Sequence, residues 1–74
     1  MPKFPRDVKQ NQAVRAFVRL GGTEVPYQGK GSHRAVLMPN GYTAIIPYGT
    51  LPVGLLAAVV KASSVSAEQF IQAL

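Results

Sequence analysis

One stretch of the chain gathers the residue types that proton transfer at a phosphate needs: Gly29-Lys30-Gly31-Ser32-His33-Arg34. His33 is the only histidine among 74 residues. Imidazole is the side chain whose ordinary titration falls near neutral pH, so it can take up a proton and return it within one cycle. Lys30 and Arg34 flank it with positive charge, Ser32 adds a hydroxyl donor, and the glycines let the backbone approach a ligand closely. This set suits cleavage of RNA. A base removes the proton of a ribose 2′-hydroxyl, the oxygen attacks the adjacent phosphate, and cations stabilise the charge that develops. Such chemistry requires no metal and no cofactor. A lone histidine at the start of a strand is more often a hydrogen-bonded surface residue, and the hexapeptide by itself leaves that reading open.

Other chemistries fit less well. The spacing of a phosphate-binding Walker loop, Gly-x4-Gly-Lys-Ser/Thr, is absent. Ser32 and His33 are adjacent, so as strand neighbours they point to opposite faces, and neither Asp7 nor Glu24 is an evident orienting partner for a serine nucleophile. With no cysteine, one histidine and three carboxylates (Asp7, Glu24, Glu68), disulfides are excluded and a four-ligand structural zinc site is hard to assemble. Arg15 and Arg19 lie four apart and share a helix face, where they either hold phosphates or meet solvent. Tyr27, Tyr42 and Tyr48 could stack on bases or fill the edge of a core.

The overall balance points the same way as the hexapeptide. Net charge is +5, and seven of the eight bases (Lys3, Arg6, Lys9, Arg15, Arg19, Lys30, Arg34) precede residue 35, with only Lys61 beyond. A basic half of this kind suits a polyanion such as RNA. Met1–Pro5 has no apolar signal core, and Leu51–Val60 is too short to cross a bilayer, which needs ~20 residues. The expectation is a cytoplasmic protein with no membrane association, folded as a single domain over residues 1–74 with residues 1–6 as a flexible N-terminal arm.

The elements that must hold His33 follow from periodicity. Asp7 and Gln10 make a capping-box-like pair ahead of a helix whose Val14, Phe17 and Val18 share one face, and Gly21-Gly22 ends it. Thr23–Gln28 reads as a strand made irregular by Pro26. His33–Met38 is a second strand, joined through Pro39-Asn40-Gly41 to a third, Tyr42–Pro47. Asn-Gly marks a hairpin because both residues tolerate positive φ. The apolar content of both faces of the third strand leaves its inward face open. A helix over 52–62 is rich in leucine and valine, and Ser66 with Gln69 caps a last short helix carrying Phe70. Helix, three antiparallel strands and two helices predict an α+β sandwich with the helices on one face of the sheet.

In this order and with these marks the chain resembles the HicA family of toxins. The residues that carry the resemblance are Lys30-Gly31-Ser32-His33 at the opening of the second strand, the Pro39-Asn40-Gly41 turn, Ile46-Pro47 at the end of the third strand, and Glu68-Gln69-Phe70 in the last helix. The likeness spans roughly residues 7–74. It implies a double-stranded-RNA-binding-domain-like fold, α-β-β-β-α with a short C-terminal helix. It also implies metal-independent cleavage of messenger RNA by the histidine of Gly-Ser-His, here His33, within a type II toxin–antitoxin system, and neutralisation by a HicB-like antitoxin that covers the active site. Many members of that family carry a second histidine shortly after the proline that ends the third strand. Here Pro47 is followed by Tyr48, Gly49 and Thr50.

The expected RNA and phosphate contacts are therefore Lys30, Ser32, Arg34, Arg15 and Arg19 around His33. Two alternatives remain open: a non-catalytic RNA-binding module, and a protein-interaction subunit. The second rests on Leu51, Val53, Leu55, Leu56, Val59 and Val60, which are too many for a small domain to bury, so the helix 52–62 is expected to offer an apolar patch to a partner.

Overall fold

The structure, a computed structural model, describes residues 3–27 and 32–74. The order is α1 (Gln10–Arg19), β1 (Thr23–Val25), β2 (Arg34–Leu37), β3 (Thr43–Ile46), α2 (Val53–Ala62) and α3 (Ala67–Ala73). The three strands form one antiparallel sheet in the order β1-β2-β3, with Glu24 opposite Val36 and Val36 opposite Ala44. The α+β class and the order α-β-β-β-α-α are those expected from the sequence.

α1 begins later than its capping pattern suggested. Lys9 is the N-cap, its main-chain N–H donates to Gln12 Oε1 at 2.8 Å, and Asp7 stays outside and exposed. The buried stripe is Gln10, Ala13, Val14, Ala16 and Phe17, while Val18 remains 42% exposed. Two alanines do the work expected of Val18 because a small side chain lets the helix lie close to the sheet. The helix stops at Gly21, whose φ of +102° suits a residue without a Cβ. Gly22 is glycine for a different reason: a Cβ there would stand 2.6 Å from Val36 Cγ1 and 2.8 Å from Met38 Sδ.

Each strand is shorter than its apolar run. Pro26 has no N–H to give, and β1 ends one residue before it. In the hairpin between β2 and β3, the Met38 N–H donates to Tyr42 O at 2.8 Å and the Gly41 N–H to Met38 O at 2.9 Å. Only Gly41, at φ +90°, takes the left-handed conformation. The connection is the expected three-residue loop Pro39-Asn40-Gly41, with Asn40 outside the left-handed region. Asn40 serves instead as a tether. Its Oδ1 accepts from the Tyr42 N–H, and its Nδ2 donates to Ala62 O at 2.9 Å and Ser64 Oγ at 3.0 Å, holding the turn against the end of α2. That end is a Schellman motif: the Val65 N–H reaches Val60 O, the Ser64 N–H reaches Lys61 O, and Ser64 itself has φ 59°. α3 is capped as expected, with Ser66 Oγ accepting from the Gln69 N–H and Gln69 Oε1 from the Ser66 N–H.

The core lies between the helices and one face of the sheet. Phe17 and Phe70 are fully buried with ring centroids 4.9 Å apart, and Phe4, from the segment read as an arm, sits 6.0 Å from Phe70. The sheet supplies Val36, Met38, Ala44 and Ile46, residues of one parity, which settles the inward face of β3. α1 packs across all three strands, α3 packs on α1, and α2 packs on α3. The opposite face of the sheet carries Thr23, Val25, Leu37, Thr43 and Ile45, all exposed or half-buried, around a small Ala35 buried between Val25 and Ile45.

Candidate nucleic-acid interface

His33 stands one residue before β2 and is exposed. Side chains alternate along an extended chain. Arg34 points to the helix side, where it meets Glu24, so His33 falls on the open side. There the ring of Tyr27, itself 41% exposed, lies with its centroid 6.1 Å from that of His33 and tilted by 41°. The two rings face each other across the end of the β1–β2 ladder, beyond the paired Val25 and Ala35.

The residues expected around His33 are distributed over both sides of the sheet. Arg34 is held by Glu24 in a two-pronged ion pair, with Nε donating to Oε2 at 2.7 Å and Nη2 to Oε1 at 2.8 Å. The hydrogen bonds from Arg34 hold the Glu24 carboxyl below its ordinary value, and Glu24 in return raises the guanidinium. Arg19 donates through Nη1 to the main-chain oxygens of Ala73 at 2.6 Å and Leu74 at 3.3 Å, closing the end of α3. Arg15 is exposed and lines a shallow concavity of about 260 Å³ with Asn11, Val14, Val18, Glu24 and Arg34. Lys30, with Gln28, Gly29 and Gly31, lies outside the described residues. Among the described residues, no three of the histidine and carboxylate side chains gather as a metal-binding group.

Ser32 is exposed, and its main chain is the anchor of this corner. Gln10 Nε2 donates to Ser32 O, one residue before His33, and also to Ile46 O at 3.0 Å. The side-chain amide therefore joins the start of β2 to the end of β3 from the first turn of α1. Gln10 is buried, and sequence reasoning missed this role by assigning it to a cap. A signal was available: Gln10 falls at i relative to Ala13, Val14 and Phe17 at i+3, i+4 and i+7, a polar residue on an apolar stripe. Such a residue is stable there only when it is hydrogen-bonded.

Tyr48, directly after Pro47, is 77% exposed. It lines a concavity of about 530 Å³ with Lys9, Gln10, Asn11, Gly49 and Thr50. Tyr42 packs partly against the core. Of the apolar residues expected to form a patch there, Leu51, Leu56, Val59 and Val60 are buried, Leu55 is half-buried, and Val53 is 37% exposed. Among the described residues no helix is long and apolar enough to cross a membrane. Compared with protein-family models and with curated proteins, the chain matches none.

Proposed function

We propose that the chain is a HicA-like, metal-independent endoribonuclease in which His33 is the catalytic residue. The observation that carries this reading is the exposure of the single histidine at a fixed point of the scaffold: it stands one residue before the central strand, and the main chain of its neighbour Ser32 is clasped by Gln10. His33 takes the 2′-hydroxyl proton. The 2′-oxygen forms a bond to phosphorus as the bond from phosphorus to the 5′-oxygen breaks, and the leaving oxygen takes its proton from solvent. The products are a 2′,3′-cyclic phosphate and a free 5′-hydroxyl.

Among the described residues, positive charge comes from Arg15 on the exposed side of α1 and from Arg34 at the start of β2, so an RNA strand would pass around that end of the sheet from α1 towards His33. Arg19 and Arg34 must give up or share their present partners to bind phosphate. The messenger-RNA substrate, the cytoplasmic location, the toxin role and a HicB-like antitoxin belong to the same reading. Val53 and Leu55 are what α2 offers an apolar partner.

The test is cleavage of RNA by purified protein in EDTA. His33→Ala should abolish cleavage while thermal unfolding stays unchanged, and a folded His33→Ala protein that still cuts would remove the histidine from the mechanism. A second reading, a non-catalytic RNA-binding module, is favoured by the single histidine, which leaves no second imidazole to protonate the leaving oxygen. Salt-sensitive RNA binding without any cleavage over long incubation would select it.

A further inference from the structure

We propose that Tyr27 forms a base-stacking subsite beside His33, and that the ligand is single-stranded rather than duplex nucleic acid. The inference deepens the ribonuclease reading and rests on it for the role of His33 alone. The helices occupy one face of the sheet, and among the described residues the strands present no charged side chain on the open face: Thr23, Val25, Leu37, Thr43 and Ile45 surround Ala35. A surface of this kind cannot hold phosphates. It can receive the flat, apolar face of a nucleobase, and the exposed ring at its margin is Tyr27, 6.1 Å from His33.

A phosphate reacting at His33 has a base attached one sugar away on either side. A ring adjoining the imidazole is where one of those bases would come to rest. A base can lie flat on Tyr27 only after leaving its neighbours in the stack, which a single strand permits and a paired duplex resists. Stacking on an aromatic ring depends little on which base is present, so the subsite gives affinity and register with weak base preference. Charge and stacking are thus divided between the two sides of the sheet: Arg15 and Arg34 on the helix side for the backbone, Tyr27 on the open side for a base.

The test uses a 2′-deoxy oligonucleotide, which has no 2′-hydroxyl and so cannot be cut by this chemistry. Binding of single-stranded and duplex forms of one length is measured by fluorescence anisotropy for the unaltered protein, Tyr27→Phe and Tyr27→Ala. The single strand should bind the unaltered protein and Tyr27→Phe within about twofold of one another, and Tyr27→Ala about tenfold or more weakly. Duplex binding should not distinguish the three. With RNA, removing the base on one side of the cut should cost the unaltered protein activity and cost Tyr27→Ala no more. Equal single-strand affinity of Tyr27→Ala, or an equal loss for the duplex, overturns the subsite. The binding outcomes do not depend on cleavage. If His33→Ala still cuts RNA, the catalytic reading falls and the binding comparison still judges Tyr27. If His33 is essential and Tyr27→Ala is silent, only the subsite falls.

Discussion

Gln10 offers the sharpest test of how the corner around His33 is held. Gln10→Leu keeps the volume and removes both hydrogen bonds. The bond to Ile46 O is buried, and an unpaired buried acceptor costs about 1–3 kcal/mol. The bond to Ser32 O is only partly buried, so water replaces much of it and its loss costs about 0.5–1 kcal/mol. The expected destabilisation is about 1.5–4 kcal/mol, a large part of the ~4–11 kcal/mol that a chain of this length commands. In a domain of this size that lowers Tm by about 6–30 °C. Circular dichroism melts and urea titrations measure it.

Gln10→Glu adds a sign. A carboxylate facing two carbonyl oxygens is unfavourable, whereas the protonated acid can donate to one of them, so folding raises the pKa of the introduced carboxyl. A carboxyl whose folded value is raised makes the protein more stable as the pH falls through that value. Gln10→Glu should therefore gain stability relative to the unaltered protein between pH 7 and about pH 5. A Gln10→Leu protein within about 0.5 kcal/mol of the original, or a Gln10→Glu protein indifferent to pH, would refute the clasp.

Two further outcomes follow from particular contacts. Gly22→Ala should cost about 1–3 kcal/mol, read as a lower urea midpoint, because the new Cβ would meet Val36 Cγ1 at 2.6 Å and the Phe17 carbonyl oxygen at 2.9 Å. The Glu24 carboxyl is held below its ordinary value of 4.5 by Arg34, so its contribution is present above that pH and is lost as the pH falls through the lowered value. The pair is exposed, so the loss is about 0.5 kcal/mol, and Glu24→Gln should erase this part of the acid dependence of the urea midpoint. Glu24→Gln should also release the Arg34 guanidinium and delay elution from a heparin column, whereas unchanged elution would mean that Arg34 never reaches the polyanion.

The order of elements was legible because helices and strands announce themselves by period, and the caps at Gly21 and Ser66 are local signals that no tertiary contact overrides. Strand limits were less legible. Hydrogen-bond pairing stops where a partner stops, and Pro26 ended β1 earlier than its apolar run. The Asn40-Gly41 pair was read for its turn chemistry alone, but Asn40 takes its conformation with a partner on α2, which no local pattern reveals. The candidate site was legible as a set of residues and not as an arrangement. Arg34 adjoins His33 in the chain and lies on the other side of the sheet. Glu24 binds Arg34 through a strand pairing, and Gln10 reaches Ser32 across 22 positions.

The one-sided packing has a consequence for how the protein can change. The side chains that hold the domain together point towards the helices, and those that would meet a ligand on the sheet point away from them. Thr23, Val25, Leu37, Thr43 and Ile45 can be exchanged without opening a cavity in the core. What the open face recognises can therefore drift, or be redesigned by library selection, while the interior stays constant, and a change of specificity carries little penalty in folding.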